Sequence, residues 1–287
     1  MRPSRAASSG SSRQPQASRN RALEIVVSAV VAGAVAGWAG YQLGLRKGAE
    51  DAAPVAGPPT SRAKNPDRPA SGTPGDPHFR PRTVEARTGN FLENAGFEDG
   101  TDGWSWLDWS NDWAPFTVDE LRPAAGERAA HLTVYGRPED RPTRVFGVVQ
   151  ELAPAVFPSR ISGKYFVERW EPGGAKKAYV QAVIIAMWPF GDMPSRQLRY
   201  VLDGVTEQPY NMSNARYVFV HRRAQPETGR WLDFELDVQA DYRRLWGDVP
   251  PDGTPFRVLF ESRYDDKPLG SEVHNVVYYD ELFVGVP

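Results

Sequence analysis

The sequence predicts an all-β sandwich, preceded by one transmembrane helix and a disordered linker. Three features lead there: an uncharged apolar run near the N-terminus, a proline-rich stretch after it, and short β-branched and aromatic segments at fairly regular spacing beyond. No long amphipathic helical pattern interrupts those segments. Short strands bounded by Gly, Pro, Asp and Asn are the pattern of a sandwich.

Residues 1–21 carry Arg2, Arg5, Arg13, Arg19 and Arg21 and no acidic residue. They lack apolar periodicity and read as a basic disordered tail. Residues 22–45 are the membrane helix. From Ile25 to Leu45 the chain is mainly Val, Ala, Gly and Leu without a charge, and a helix of that length spans about 30 Å, a bilayer's hydrocarbon core. Trp38 and Tyr41 lie toward its far end, where aromatic rings favour the interface. Five arginines precede the run, whereas Arg46 and Lys47 are soon followed by Glu50 and Asp51. The positive-inside rule then places the N-terminus in the cytoplasm and the rest of the chain outside, as a signal anchor in the cell membrane.

Two rival readings stand beside the anchor. A cleaved signal peptide would use Ala34-Val35-Ala36, behind an unusually long n-region. A buried soluble helix would rarely hold so many glycines without a charge. Gly33, Gly37, Gly40 and Gly44 share one helix face, a spacing that lets two membrane helices approach as a homodimer; small residues are also simply common in weakly hydrophobic anchors. Residues 46–88 are rich in Pro, Gly, Ser and charge. They read as a disordered linker with a reach of about 40 Å as a coil to roughly 100 Å if extended.

Residues 89–287 carry the sandwich. Candidate strands are Ala130–Tyr135, Arg144–Leu152, Ser162–Arg169, Ala178–Met187, Gln197–Leu202, Ala215–His221, Trp231–Val238, Phe256–Ser262 and Val276–Val284. Phe256, Val258 and Phe260 suggest an inward-facing set with period two, and so do Val277 and Tyr279 before the pattern slips near Leu282. Pro172-Gly173-Gly174 reads as a tight turn. Only Ala240–Trp246 suggests a helical turn.

Composition excludes several classes of function. A net charge of −2 with scattered Lys and Arg gives no basic field for nucleic acid. The chain has no cysteine, hence no disulfide, thiolate metal site or cysteine nucleophile. The four histidines, His78, His131, His221 and His274, make no metal-ligand pair by spacing; His131 and His221 fall in strands and read as structural. No phosphate-cradling loop or nucleophile elbow occurs. Asp119-Glu120 and Asp265-Asp266 could in principle serve a glycosidase, but neighbouring strand residues point to opposite faces, and solvated loop charges are the better reading.

The segment Asn90-Phe91-Leu92-Glu93-Asn94-Ala95-Gly96-Phe97-Glu98-Asp99-Gly100, with Trp104 beyond it, resembles the entry of galactose-binding-like jelly rolls. It is similar to carbohydrate-binding modules found beside xylanases and cellulases. Tyr278-Tyr279-Asp280 closes the chain in the manner of that family, and Gly229-Arg230-Trp231 resembles one of its strand entries. Ala95 stands where the family more often has Gly or Pro. The resemblance implies a jelly-roll β-sandwich with Trp104 in the core. It also implies a structural Ca²⁺ held where the first and last strands meet, by Glu98 and Asp280 with Asn94 or Gly96 adding oxygen; the alternative is that these residues only cap turns.

Trp106, Trp109 and Trp113 crowd a segment that also holds Asp108 and Asn111. Aromatic faces stack on sugar rings while carboxylates and amides bond hydroxyls, so these five residues form a candidate ligand platform. The competing reading is a loop that packs its own aromatics beneath itself. The function expected is a membrane-anchored extracytoplasmic binding module, not an enzyme, whose partner is a polysaccharide or envelope glycan. The alternative is a structural β-sandwich that binds a protein in an envelope assembly.

Overall fold

Each of the nine expected segments forms a strand. They are β5 (Ala129–Gly136), β6 (Arg144–Pro154), β7 (Arg160–Glu171), β8 (Lys177–Ala186), β9 (Arg196–Asp203), β10 (Ala215–Phe219), β11 (Trp231–Asp237), β12 (Phe256–Asp265) and β13 (Val273–Val286). Four short strands precede them: β1 (Arg82–Val84), β2 (Gly89–Asn90), β3 (Trp113–Ala114) and β4 (Thr117–Asp119). The computed structural model describes residues 76–187, 190 and 193–287. The tail at 1–21, the membrane segment at 22–45 with its glycine face, most of the linker and Trp188 lie outside the described residues. Among the described residues no helix is long and apolar enough to cross a membrane.

The one described helix, α1 (Val238–Trp246), begins where the sequence supplies a cap. The Asp237 carboxylate accepts the Ala240 N–H at 2.8 Å, and Gly247 ends the helix at φ 88°, donating its N–H to the Arg243 carbonyl.

The strands form two sheets, ordered β1-β6-β12-β8-β9-β10 with β3 also on β6, and β11-β7-β13-β5-β4 with β2 also on β13. Among the eight longest strands the chain changes sheet at every step except β8 to β9, which is the winding of a jelly roll. The core between the sheets follows from strand alternation. Phe146, Val148, Val180, Ala182, Ile184, Val258 and Phe260 face inward from one sheet, against Leu132, Ile161, Tyr165, Phe234, Val277 and Tyr279 from the other. The slip near Leu282 is a break in register between Asp280 and Phe283, with Glu281 in a left-handed conformation at φ 49°. Between β7 and β8, a Cβ on Gly173 would lie 1.4 Å from the Glu272 carbonyl oxygen, so only glycine fits that turn.

The folded region begins before Gly89. β1 pairs in parallel with Leu152–Pro154 of β6, and Phe79 is fully buried with the Arg257 guanidinium 5.6 Å from its ring. Asp76 pairs with Arg257 at 3.1 Å, and Arg257 with Glu151 at 2.7 Å. One aromatic side chain and an ion-pair latch thus dock a segment that its proline-rich surroundings placed in the linker.

Candidate ligand-binding face

The outer face of the first sheet carries residues in straight cross-strand rows, because each pair is in register. Val149, Leu259, Val183, Arg199 and Tyr217 form one row across β6, β12, β8, β9 and β10. Beside it run Gly147, Glu261, Gln181 and Val201. Next come Val145, Arg263 and Tyr179, then Asp265 opposite Lys177. Gly147 leaves the floor low beside Glu261: a Cβ there would meet the Glu261 Cβ at 2.9 Å.

These polar side chains are largely sealed from water. Gln181, Tyr179 and Asp265 are fully buried and Glu261 is 2 % exposed, an unusual state for charged residues on a sheet's outer face. Charge is balanced within the set once Asp266, which pairs with Lys177 at 3.0 Å, is counted. Arg263 grips Asp265 with two bonds of 3.0 and 2.6 Å. Arg199 and Arg263 each lie 3.9 Å from Glu261, whose carboxylate also accepts from the Gln181 amide. Burial disfavours the charge on Arg263, yet Tyr179, Asp265 and Glu261 outweigh it and hold its pKa well above the usual value. Burial pushes the Tyr179 and Tyr217 phenols up. Tyr210 leans over the group from its loop, its ring 4.2 Å from the Lys177 ammonium and 5.8 Å from Arg263.

Among the described residues, three polar atoms in this face are buried without a partner: Tyr179 Oη, Tyr217 Oη and Gln181 Oε1. Unpaired buried groups are rare, and each costs about 1–3 kcal/mol unless something satisfies it.

The tryptophan loop lies at one end of the same face but does not form a single platform. Trp113, on β3 beside β6, packs with Leu107 over the strip Val149, Val183 and Leu259. Trp106 turns into the main core. Trp109 stacks on His78, rings 4.8 Å apart and 13° from parallel. Asp108 and Asn111 are exposed. Of the five expected residues, Trp113 is the one that joins the row containing Arg199 and Tyr217.

At the junction of the first and last strands, Asn94 builds the turn. At φ 45° its side chain accepts from Asp99 N and donates to the Gly100 and Asp102 carbonyls, and its own carbonyl accepts from Trp104 Nε1 at 2.8 Å. Trp104 is buried against Phe97. Asp280 and Glu98 grip adjacent stretches of one loop. Asp280 accepts from Ala124 N and Ala125 N at 2.7 and 3.1 Å, and Glu98 from Glu127 N and Arg128 N. A Cβ on Gly96 would lie 3.7 Å from Asp280 Oδ1.

The donor set fits a hard cation in charge. Asp280 is fully buried yet enters no ion pair among the described residues, and burial raises its carboxyl pKa against the pull of the Ala125, Glu281 and Ala124 N–H groups. Asn94 brings no charge, and its oxygens, like those of Glu98 and Asp280, already accept N–H groups. Among the described residues no three Asp, Glu or His side chains group as metal ligands, so any further oxygens would come from the backbone.

The acidic pairs differ from expectation. Asp265 is not a solvated charge but the sealed partner of Arg263. Asp119 pairs with His131 Nδ1 at 2.5 Å, and the His131 ring stacks on Tyr278 at 4.5 Å, a structural arrangement on the second sheet. His221 Nε2 is buried without a partner among the described residues.

Tyr179, Gln181, Arg199, Tyr217, Glu261 and Arg263 were not legible as a site. Their only trace is polar alternation, as in Glu261, Arg263 and Asp265, which normally marks a solvated face.

No protein-family model matches the chain, and no curated protein matches it. In structure it is similar to carbohydrate-binding modules. TmCBM61, solved with beta-1,4-galactotriose, is 12 % identical with a TM-score of 0.37, over 69 % of this chain and 99 % of that one. The CBM22-1 xylan-binding domain of Paenibacillus barcinonensis Xyn10C is 14 % identical with a TM-score of 0.36, over 70 % and 99 %. The K3 cleaved adhesin domain of Lys-gingipain from Porphyromonas gingivalis is 13 % identical with a TM-score of 0.35, over 68 % and 98 %.

Proposed function

We propose that this chain is a membrane-anchored, extracytoplasmic, non-catalytic module that binds a neutral polysaccharide on the outer face of its first sheet. The observation that carries the reading is a charge-balanced polar set beside the apolar strip at Trp113, in which Tyr179 Oη, Tyr217 Oη and Gln181 Oε1 are unpartnered among the described residues. Two phenols can donate or accept and the amide oxygen accepts, which matches sugar hydroxyls, themselves both donors and acceptors. The paired Arg and Asp/Glu groups leave no excess charge for an ion, while the apolar strip beside Trp113 offers surface for a pyranose ring. A few placed polar groups beside apolar surface is the usual make-up of a small-molecule site.

A binding role is favoured over hydrolysis by spacing. Glu261 and Asp265 share a face of β12 four residues apart, about 13 Å along a strand. Glycosidase carboxyls sit roughly 5–10 Å apart across the scissile bond. In this reading residues 22–45 anchor the chain, the linker carries the domain outward, and Ca²⁺ is held by Glu98 and Asp280 as a structural ion.

The test is affinity electrophoresis of the full chain through gels containing xylan, a neutral β-glucan or alginate. The neutral polymers should retard it, and Tyr217→Phe and Gln181→Leu should remove most of that retardation with the β-sheet circular dichroism unchanged. Free migration of the folded protein in every neutral polymer overturns the reading and favours a protein partner.

A further inference from the structure

A stack of four planar groups closes the sandwich edge beside α1, away from the sheet face described above. Arg196 opens β9, with its guanidinium 4.4 Å from the Phe190 ring centre and 5.1 Å from that of Trp246. Arg216 of β10 covers Trp246 at 4.0 Å. Trp246 ends α1 and packs against the main core. Arginine planes over an indole are favourable in themselves, so the stack has a structural role. That role does not account for two of its atoms.

Trp246 Nε1 and Arg196 Nε are both buried without a partner among the described residues. Each is an obligate donor, so only an acceptor can satisfy it. The sheet face differs, because its unpartnered atoms include acceptors. Charge differs too. Asp248 pairs with Arg196 from a largely exposed position, and Asp241 is taken by Arg244. Arg243 bonds Gln239 on its own helix. Arg216 donates to the Ser213 and Ala215 carbonyls and enters no ion pair among the described residues. Among the described residues the stack therefore holds one more cation than its carboxylates balance, together with two unsatisfied donors.

We propose that the Arg196–Trp246–Arg216 stack is an anion-binding site, separate from the polysaccharide face, for a ligand that carries a compact oxyanion such as a sugar carboxylate or a sulfate. Charge-assisted bonds from arginine to such groups are short and strong, and an acceptor placed there removes two desolvation penalties at once.

The experiment is thermal unfolding of the full chain with sodium glucuronate, sodium sulfate, glucose or sodium chloride, all at one ionic strength. Glucuronate or sulfate at about ten times its Kd should raise the midpoint by roughly 3–5 °C over chloride and glucose. Response to glucuronate alone assigns a sugar acid, and response to sulfate alone a tetrahedral oxyanion. Sulfate stabilises folded proteins in general, so the variants decide. Trp246→Phe keeps the ring and removes the N–H, Arg216→Gln removes the free charge, and each should abolish most of the rise. Should Trp246→Phe fail to fold, Arg216→Gln carries the test alone. Equal midpoints in all four salts and sugars, or a rise that persists in Arg216→Gln, overturns the proposal and assigns the donors to water.

Discussion

Glu261 of β12 and Gln181 of β8 face one another in register across the first sheet, hydrogen-bonded and closed off from solvent. Arg199 and Arg263 approach the same carboxylate, and since Asp265 also holds Arg263, Glu261 is chiefly the counter-charge of Arg199. Removing one member of such a buried group leaves the others uncompensated. Glu261→Ala should therefore cost about 3–5 kcal/mol, and Glu261→Gln, which keeps a hydrogen-bonding side chain, distinctly less. Urea unfolding of the two variants measures this. Equal, small losses would mean that water already screens the cluster.

Arg257 joins the N-terminal segment to the sheet through Asp76 and Glu151, with Glu151 also accepting the Arg80 N–H at 2.6 Å. Arg257→Met should loosen residues 76–80 and destabilise by about 3–5 kcal/mol, whereas Arg257→Met with Glu151→Leu should recover much of that loss. Chymotrypsin cleavage after Phe79, which is fully buried in the docked segment, followed by mass spectrometry, reports the loosening. Unchanged cleavage in the single variant would assign the docking to Phe79 alone.

The nine long strands and α1 were readable because local chemistry and tertiary structure agree there. Val, Ile, Phe and Tyr fill the segments, Gly and Pro punctuate them, and Asp237 and Gly247 bracket the helix. The short strands β1 to β4 carry too few residues for any periodicity to appear. The site was hidden for another reason. Alternation says which residues share a face, so Glu261, Arg263 and Asp265 could be grouped, but it does not say that the face is closed. Leu107 and Trp113 fold back over the neighbouring strip of Val149, Val183 and Leu259, a long-range contact without a local signature, and the burial of the polar group likewise comes from cross-strand neighbours. The same contact misdirected the tryptophan reading, since adjacency in sequence suggested one platform where three rings pack against three different partners.

The Glu98 and Asp280 junction allows a direct test of the structural ion. Calcium that binds the folded state alone raises stability in proportion to the logarithm of its concentration. Millimolar calcium should raise the thermal midpoint of the chelator-treated protein, and Asp280→Asn should remove the response while lowering the baseline. A midpoint indifferent to both calcium and chelator would leave Asp280 as a buried acceptor for the Ala124 and Ala125 N–H groups alone.

Tyrosine burial sets the alkaline limit of the fold. Burial raises the phenols of Tyr165, Tyr179, Tyr200, Tyr210, Tyr217, Tyr242, Tyr278 and Tyr279, and takes Tyr264 to about 12. An unfolded chain loses these protons near pH 10. Above that pH the native state therefore binds more protons than the unfolded one, and stability falls as pH rises. Their contribution is complete below pH 10 and lost progressively as pH climbs toward the raised values. Each phenol steepens the loss by up to about 1.4 kcal/mol per pH unit. Phenolate absorbance at 295 nm should thus rise in one cooperative step, coincident with loss of β-sheet circular dichroism. A gradual rise near pH 10 in the still-folded protein would show that these hydroxyls reach water.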